Sequence, residues 1–196
     1  MKNTKLYFYD LNLKANYKIN DNNRIYLSGY FGRDDFGFAD EFGFDWGNAT
    51  GTIRWNHNFS EKLFSNTSFI VSNYSYDINI MGDVEITIGS QIDDMNLKQD
   101  FTWYISPRNT IKFGGNVIYH SIMPGEITVF GNSRINPETI STRKAIEWAA
   151  YISNSHSISE RLKLYYGLRL ALFSNVGPGE FYEFNTDGDL TSRSEE

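Results

Sequence analysis

A strict two-residue alternation of apolar and polar side chains, sustained over long runs, confines this chain to β-structure. From Tyr7 to Ile19 the odd positions are Tyr7, Tyr9, Leu11, Leu13, Ala15, Tyr17 and Ile19, while the even ones are Phe8, Asp10, Asn12, Lys14, Asn16 and Lys18. Successive side chains of a strand point to opposite faces, so one face is wholly apolar. The pattern returns in Leu162, Leu164, Tyr166, Leu168, Leu170 and Leu172, opposed by Lys163, Tyr165, Gly167, Arg169 and Ala171. It is present in Met95, Leu97, Phe101 and Trp103 against Asp94, Asn96, Lys98, Asp100 and Thr102, and in Ile111, Phe113, Val117 and Tyr119 against Lys112, Asn116 and His120. Weaker versions run through Ile25, Leu27 and Phe31 and through Ala49, Ile53 and Trp55.

Two segments are less regular. Leu63 to Tyr76 is β-branched and aromatic with no single apolar parity, which fits a bulge or a strand apolar on both faces. Arg143 to Ser155 places Ala145, Trp148, Ala149 and Ile152 at helical spacing, yet it stands in series with the other strands and precedes a turn, so a strand is expected. About eight strands result. Tight turns are expected at Asn20 to Asn23, Ser60 to Lys62, Ser106 to Asn109 and Ser157 to Glu160. Between them lie long loops, about Gly32 to Asn48, Asp77 to Gln91 and Ser121 to Thr142, with a tail from Ser174 that shows no closing strand. Short turns at one rim and long loops at the other describe an antiparallel up-and-down sheet.

Composition narrows the function classes. The 196 residues carry a net charge of -6, which argues against nucleic acid as a partner, and contain no cysteine, which excludes disulfides and thiol chemistry. A mean hydropathy of -0.45 and the lack of a long apolar run exclude a transmembrane helix but not a membrane strand. No apolar stretch follows the lysines of Met1 to Tyr7, so no signal peptide is expected there.

A soluble or secreted ligand-binding β-barrel would alternate in the same way. Three features favour an all-β transmembrane barrel of the outer membrane. The alternating runs span about 10 to 13 residues, near the 9 to 11 of a tilted membrane strand and above the 5 or 6 usual in soluble sheets. Asp, Lys, Asn and Arg line the polar face throughout, as a wet lumen requires. Aromatic residues gather at strand ends: Tyr17, Trp55 and Trp103 beside the short turns, and Tyr7, Tyr9, Phe31 and Tyr119 toward the loops, with Tyr166 an exception in mid-strand. With short turns on the periplasmic side, both chain ends fall on the outer side. A complete eight-stranded barrel is not threaded so, and residues 1–196 are read as an internal piece of a larger barrel.

Several segments resemble TonB-dependent outer-membrane receptors, in particular the branch with a carboxypeptidase-regulatory-like domain ahead of the plug. They are Trp46 to His57 followed by Phe59 to Asn66, Asn109 to Asn116, and Tyr165-Tyr166-Gly167-Leu168-Arg169. The resemblance implies a 22-stranded barrel around a plug, energised through TonB, taking up a scarce ligand such as a metal chelate, cofactor or glycan. It implies the outer-membrane bilayer, the plug domain, TonB and a surface lipoprotein as partners. Plug, TonB box and most strands are lacking in this chain, and no family binding residue carries over. A passive outer-membrane channel shares the same wall.

No catalytic constellation, resident metal site or cofactor is expected. His57, His120 and His156 are scattered without metal spacing. Gly32, Gly37, Gly43 and Gly47 lack the helix of a phosphate loop. The stretch from Gly32 to Trp46 is the candidate extracellular ligand loop. Asp34, Asp35 and Asp40 offer oxygen ligands for Ca²⁺, and Phe36, Phe38, Phe42 and Trp46, with Arg33, offer stacking and charge for a sugar or chelate, set against plain packing of the loop on itself. Arg54, Lys98, Asp100, Lys112 and Arg169 are candidate lumen charges that contact a plug.

Overall fold

The computed structural model describes residues 4–39, 41–82, 84–130, 141–177, 180–185 and 190–195. Ten strands follow in order: β1 (Thr4–Asn20), β2 (Asn23–Phe38), β3 (Phe42–Asn58), β4 (Leu63–Ile80), β5 (Glu85–Ser106), β6 (Asn109–Phe130), β7 (Arg143–Ser157), β8 (Lys163–Val176), β9 (Glu180–Phe184) and β10 (Leu190–Glu195). The first eight form one antiparallel meander in sequential order, and β9 pairs only with β10. Among the described residues β1 and β8 do not pair with each other or with a further strand, so the large sheet is open at both edges.

The four tight turns share a local device. Asn20, Ser60, Ser106 and Ser159 each turn a side-chain oxygen onto the backbone N–H two residues on, at 3.0, 3.2, 3.3 and 3.3 Å. Short polar side chains mimic a backbone turn in this way, and they stop the strands where the sequence places them.

At the other rim the expected long loops are largely strand. β2 and β3 stay paired as far as Phe38 and Phe42. β4 and β5 stay paired to Ile80 and Ile86. β6 runs to Phe130, while residues 131–140 of the third connection lie outside the described residues. Gly, Asp and Phe in alternation look loop-like in composition but still satisfy a period of two. In the tail, β10 occupies Leu190–Glu195, where no strand was expected, though it does not close the large sheet. β7 is a strand, as its position in the series indicated. β4 pairs with both neighbours without a register shift, so its mixed parity reflects apolar residues on both faces and not a bulge.

Reading the register across strands gives continuous rows. One row, on what is called here the band face, is Ala15, Leu27, Ile53, Phe69, Leu97, Val117, Trp148 and Leu172. All but Ala15 are large apolar residues, and Leu27, Ile53, Phe69, Leu97, Val117, Trp148 and Leu172 are 36 to 58% exposed. The only buried apolar residues among those described are Ala145 and Ala149. A sheet of this size has no core of its own. Its apolar surface is spread over one face as a band, far beyond the patch of a few hundred Å² that a soluble monomer tolerates.

Candidate functional site

The band has the dimensions of a bilayer's hydrocarbon layer. It runs from Leu11 to Ile19 on β1, from Met95 to Trp103 on β5 and from Leu164 to Leu172 on β8. About nine residues, rising about 3.3 Å each and tilted about 40°, cover roughly 23 Å, close to the band height of outer-membrane barrels. Along the register the band slides toward the short turns from β1 to β8, as tilted strands require.

Aromatic residues edge it with their polar tips bonded. Trp55 donates its indole N–H to the Asn23 side-chain oxygen at 3.0 Å, and His57 Nδ1 lies 2.8 Å from the same atom. Tyr166, expected in mid-strand, is the fourth residue of β8 and shares the row of Trp103, one row above Leu164 at the short-turn edge. There its hydroxyl accepts from the Asn154 amide at 3.0 Å. It therefore belongs to the short-turn girdle. Toward the other edge Tyr7 stacks with Tyr9 at 6.3 Å and Tyr9 packs on Phe31 at 5.8 Å.

The opposite face is polar behind the band. Arg54, Lys98, Asp100, Lys112 and Arg169 all lie on it, as alternation predicts. They do not form one ladder. Lys98 Nζ is 3.0 Å from Asp100, whose other oxygen accepts from the Tyr151 hydroxyl at 2.6 Å. Gly114 sits between Asp100 and Tyr151 in the register, and its missing side chain leaves the gap that this bond crosses. Arg169 lies 3.9 Å from Glu147 on β7, and Arg54 packs over the Tyr26 ring at 4.6 Å. The Lys112 ammonium has no partner among the described residues. Of the histidines, His120 meets Asp94 at 2.7 Å, and no group of three His, Asp or Glu able to hold a metal occurs among the described residues.

Beyond the band the candidate ligand loop is a pair of strands, and alternation divides its residues between faces. Arg33 and Asp35 stand on the band face with Asp45 and Asp77, while Asp34, Phe36, Phe38, Phe42 and Trp46 stand on the other, joined by Phe44. Asp40 lies outside the described residues. Asp34 and Asp35, expected to share a cation, are thus on opposite faces; Asp35 pairs with Lys5 at 2.9 Å, and its cross-strand neighbour Asp45 with the Arg33 guanidinium. The Asp45 bond holds the Arg33 guanidinium above its ordinary value, and burial, then the nearby Asp45 charge, pushes the Asp77 carboxyl above the usual carboxylate range.

The two faces exchange character here. The row Leu6, Phe36, Phe44, Ile78, Ile88 and Ile127 continues the polar face, and the row Tyr7, Asp35, Asp45, Asp77, Gly89 and Glu126 continues the band face. On β6 a bulge makes this possible: Pro124 and Gly125 together oppose Ser90, with Gly125 at φ 102°. An extra residue reverses the faces of everything beyond it. Ile127 and Val129, odd-numbered like the band residues Val117 and Tyr119, thereby join the apolar side opposite. Proline, which cannot donate to a ladder, and glycine, which accepts a positive φ, are the residues such a site selects.

Comparisons with known proteins agree with this architecture. The chain is similar to BauA, the ferric preacinetobactin receptor from Acinetobacter baumannii, at a TM-score of 0.59 and 11% identity, covering 87% of this chain and 34% of the receptor. It is also similar to the translocator domain of the autotransporter NalP from Neisseria meningitidis, at a TM-score of 0.52 and 11% identity, covering 98% of this chain and 66% of that one. No family model matches, and no curated protein matches in sequence. The chain thus spans about a third of one structure and two thirds of the other. Its eight antiparallel meander strands have the fold of an outer-membrane β-barrel wall.

Proposed function

We propose that this chain is part of the wall of an outer-membrane receptor that takes up a scarce ligand with energy supplied through TonB, and that it has no enzymatic activity. The observation that carries the reading is the open sheet. Its band of exposed apolar side chains has the height of a bilayer, and its first and last strands offer unpaired edges that further strands of a larger barrel would complete. The band then faces lipid, the short turns face the periplasm, and the polar face lines a lumen where Lys98, Asp100, Lys112 and Arg169 stand ready for a plug. The strands that rise beyond the band suit a receptor vestibule for a chelate, cofactor or glycan, covered by a surface lipoprotein. BauA, similar over most of this chain, is a ferric preacinetobactin receptor.

A second reading has its own support. The likeness to the NalP translocator domain extends over 98% of the chain, and a passive channel or translocator needs the same wall without energy coupling. Ligand uptake by cells making the complete protein separates them. Uptake that stops when TonB is deleted and returns on complementation supports the receptor. Uptake or release indifferent to TonB, with the protein still in the outer-membrane fraction, supports the passive wall. Recovery of the complete protein as a soluble monomer contradicts both.

A further inference from the structure

The exchange of faces beyond the band leaves an apolar wall where the polar lining ends. Phe36, Phe44, Ile78 and Ile88 share one row, with Trp46 and Tyr76 in the next row toward the band. The opposite face of the same strands carries the charges, and its cations are already used, Lys5 on Asp35 and Arg33 on Asp45. Two carboxylates stand on the apolar side instead. Asp34 lies between Phe8 and Trp46 in the register, and Asp10 faces Gly32 one row below. They are diagonal neighbours on one face, roughly 7–8 Å apart by sheet geometry. Neither has a hydrogen bond or ion pair among the described residues. Gly32 lies between them, and the Tyr30 ring and hydroxyl fill the place its side chain would take.

The charge balance of this wall selects its occupant. Of β1 to β6, no strand places a Lys or Arg on that face at or beyond the Asp10 row. Arg143 ends the same row on β7, six strands from Asp10 and about 29 Å away at the usual strand spacing. An anion would meet two like charges there. A neutral apolar molecule would strip water from two carboxylates and give nothing back. A bare metal ion would find two ligands and no third His, Asp or Glu among the described residues. A cationic group on an apolar body meets every requirement: the carboxylates take its charge, and the faces of Trp46 and Phe8 take both the body and the cation.

We propose that this face binds an organic cation, an ammonium or guanidinium carried on an apolar or aromatic framework, at Asp10 and Asp34 between Phe8 and Trp46. The inference rests on the reading of this surface as the lumen side of a membrane wall and names the ligand class it would take.

The test uses the complete protein in lipid nanodiscs, with benzyltrimethylammonium as the probe and phenylacetate as its counterpart of opposite charge. Benzyltrimethylammonium is expected to change tryptophan emission saturably. Trp46→Phe should remove that signal while leaving those of Trp55, Trp103 and Trp148. The double variant Asp10→Asn, Asp34→Asn should weaken binding about tenfold or more. Equal response to phenylacetate, an unchanged affinity in the double variant, or no saturable response at all would overturn the proposal. Heat-modifiable migration of the same samples on gels reports the membrane wall separately, so a folded barrel that ignores the probe defeats the cation site alone.

Discussion

Leu97→Arg is expected to destabilise the bilayer-inserted fold by about 2–4 kcal/mol, whereas Asn96→Arg, one residue away, should change it by no more than about 0.5 kcal/mol. Leu97 lies in the central row of the band with its side chain 54% exposed. A guanidinium there must sit among acyl chains or drag water and headgroups toward the middle of the bilayer. Asn96 points to the other face, where Lys98 already carries a charge two residues on and Asp94 stands two residues back. Its buried Oδ1 has no hydrogen-bond partner among the described residues, so replacing it breaks no bond seen there. Reversible unfolding of the complete protein in bilayers, followed by tryptophan emission against denaturant, gives both values. The contrast between neighbours matters more than either number. A soluble sheet exposing its apolar face to water would gain from arginine at Leu97.

Gly114→Ala is expected to cost about 2–4 kcal/mol, unusual for a single methyl group on a strand. A Cβ at this position would overlap the Gln99 carbonyl oxygen and lie 3.1 Å from Asp100 Cα. Both are backbone of the neighbouring strand, so no rotamer change relieves the clash and β5 and β6 must separate. The substitution also fills the gap that lets the Tyr151 hydroxyl reach Asp100 from two strands away. Gly51→Ala is the control, because its added Cβ would meet only a Val71 methyl at 3.4 Å. The same unfolding experiment should show a much larger loss at Gly114 than at Gly51. Equal effects would mean that the close approach at Gly114 is not tight in the protein.

How much of this was legible in the sequence follows from what period-two patterning can carry. Within the band, the odd residues of β1 and the even residues of β8 specify strand and face at once, because apolar and polar side chains take opposite sides of the sheet. The tight turns were legible from Asn and Ser beside Gly-poor polar clusters. Beyond the band the pattern reverses, and apolar residues gather on the face opposite the band. The alternation from Phe36 through Trp46 is as strict as before but in the opposite phase, and its Gly and Asp residues looked like those of a loop. A phase shift without a break was the signal available in β2 to β5. On β6 even that is hidden, because the Pro124–Gly125 bulge keeps Ile127 and Val129 odd-numbered. Phe8, Phe44, Tyr76 and Asp10 were missed for the same reason: their importance lies in cross-strand register, which composition cannot give. Arg54, Lys98, Asp100, Lys112 and Arg169 share the face that alternation assigns them, but their division into a Lys98–Asp100–Tyr151 cluster and an Arg169–Glu147 pair depended on which partners the register brought opposite.

The most direct test of the membrane wall is the depth of its tryptophans, read by quenching with brominated lipids. Trp148 lies in the central row, Trp55 and Trp103 at the short-turn edge, and Trp46 beyond the band on the opposite face. In bilayers of lipids brominated deep in the acyl chain, Trp148 should be quenched strongly. Trp55 and Trp103 should respond most to bromines near the headgroup, and Trp46 to neither. Single-tryptophan variants separate the four signals. Trp148 insensitive to bromine at every depth but open to aqueous iodide would contradict a lipid-facing band.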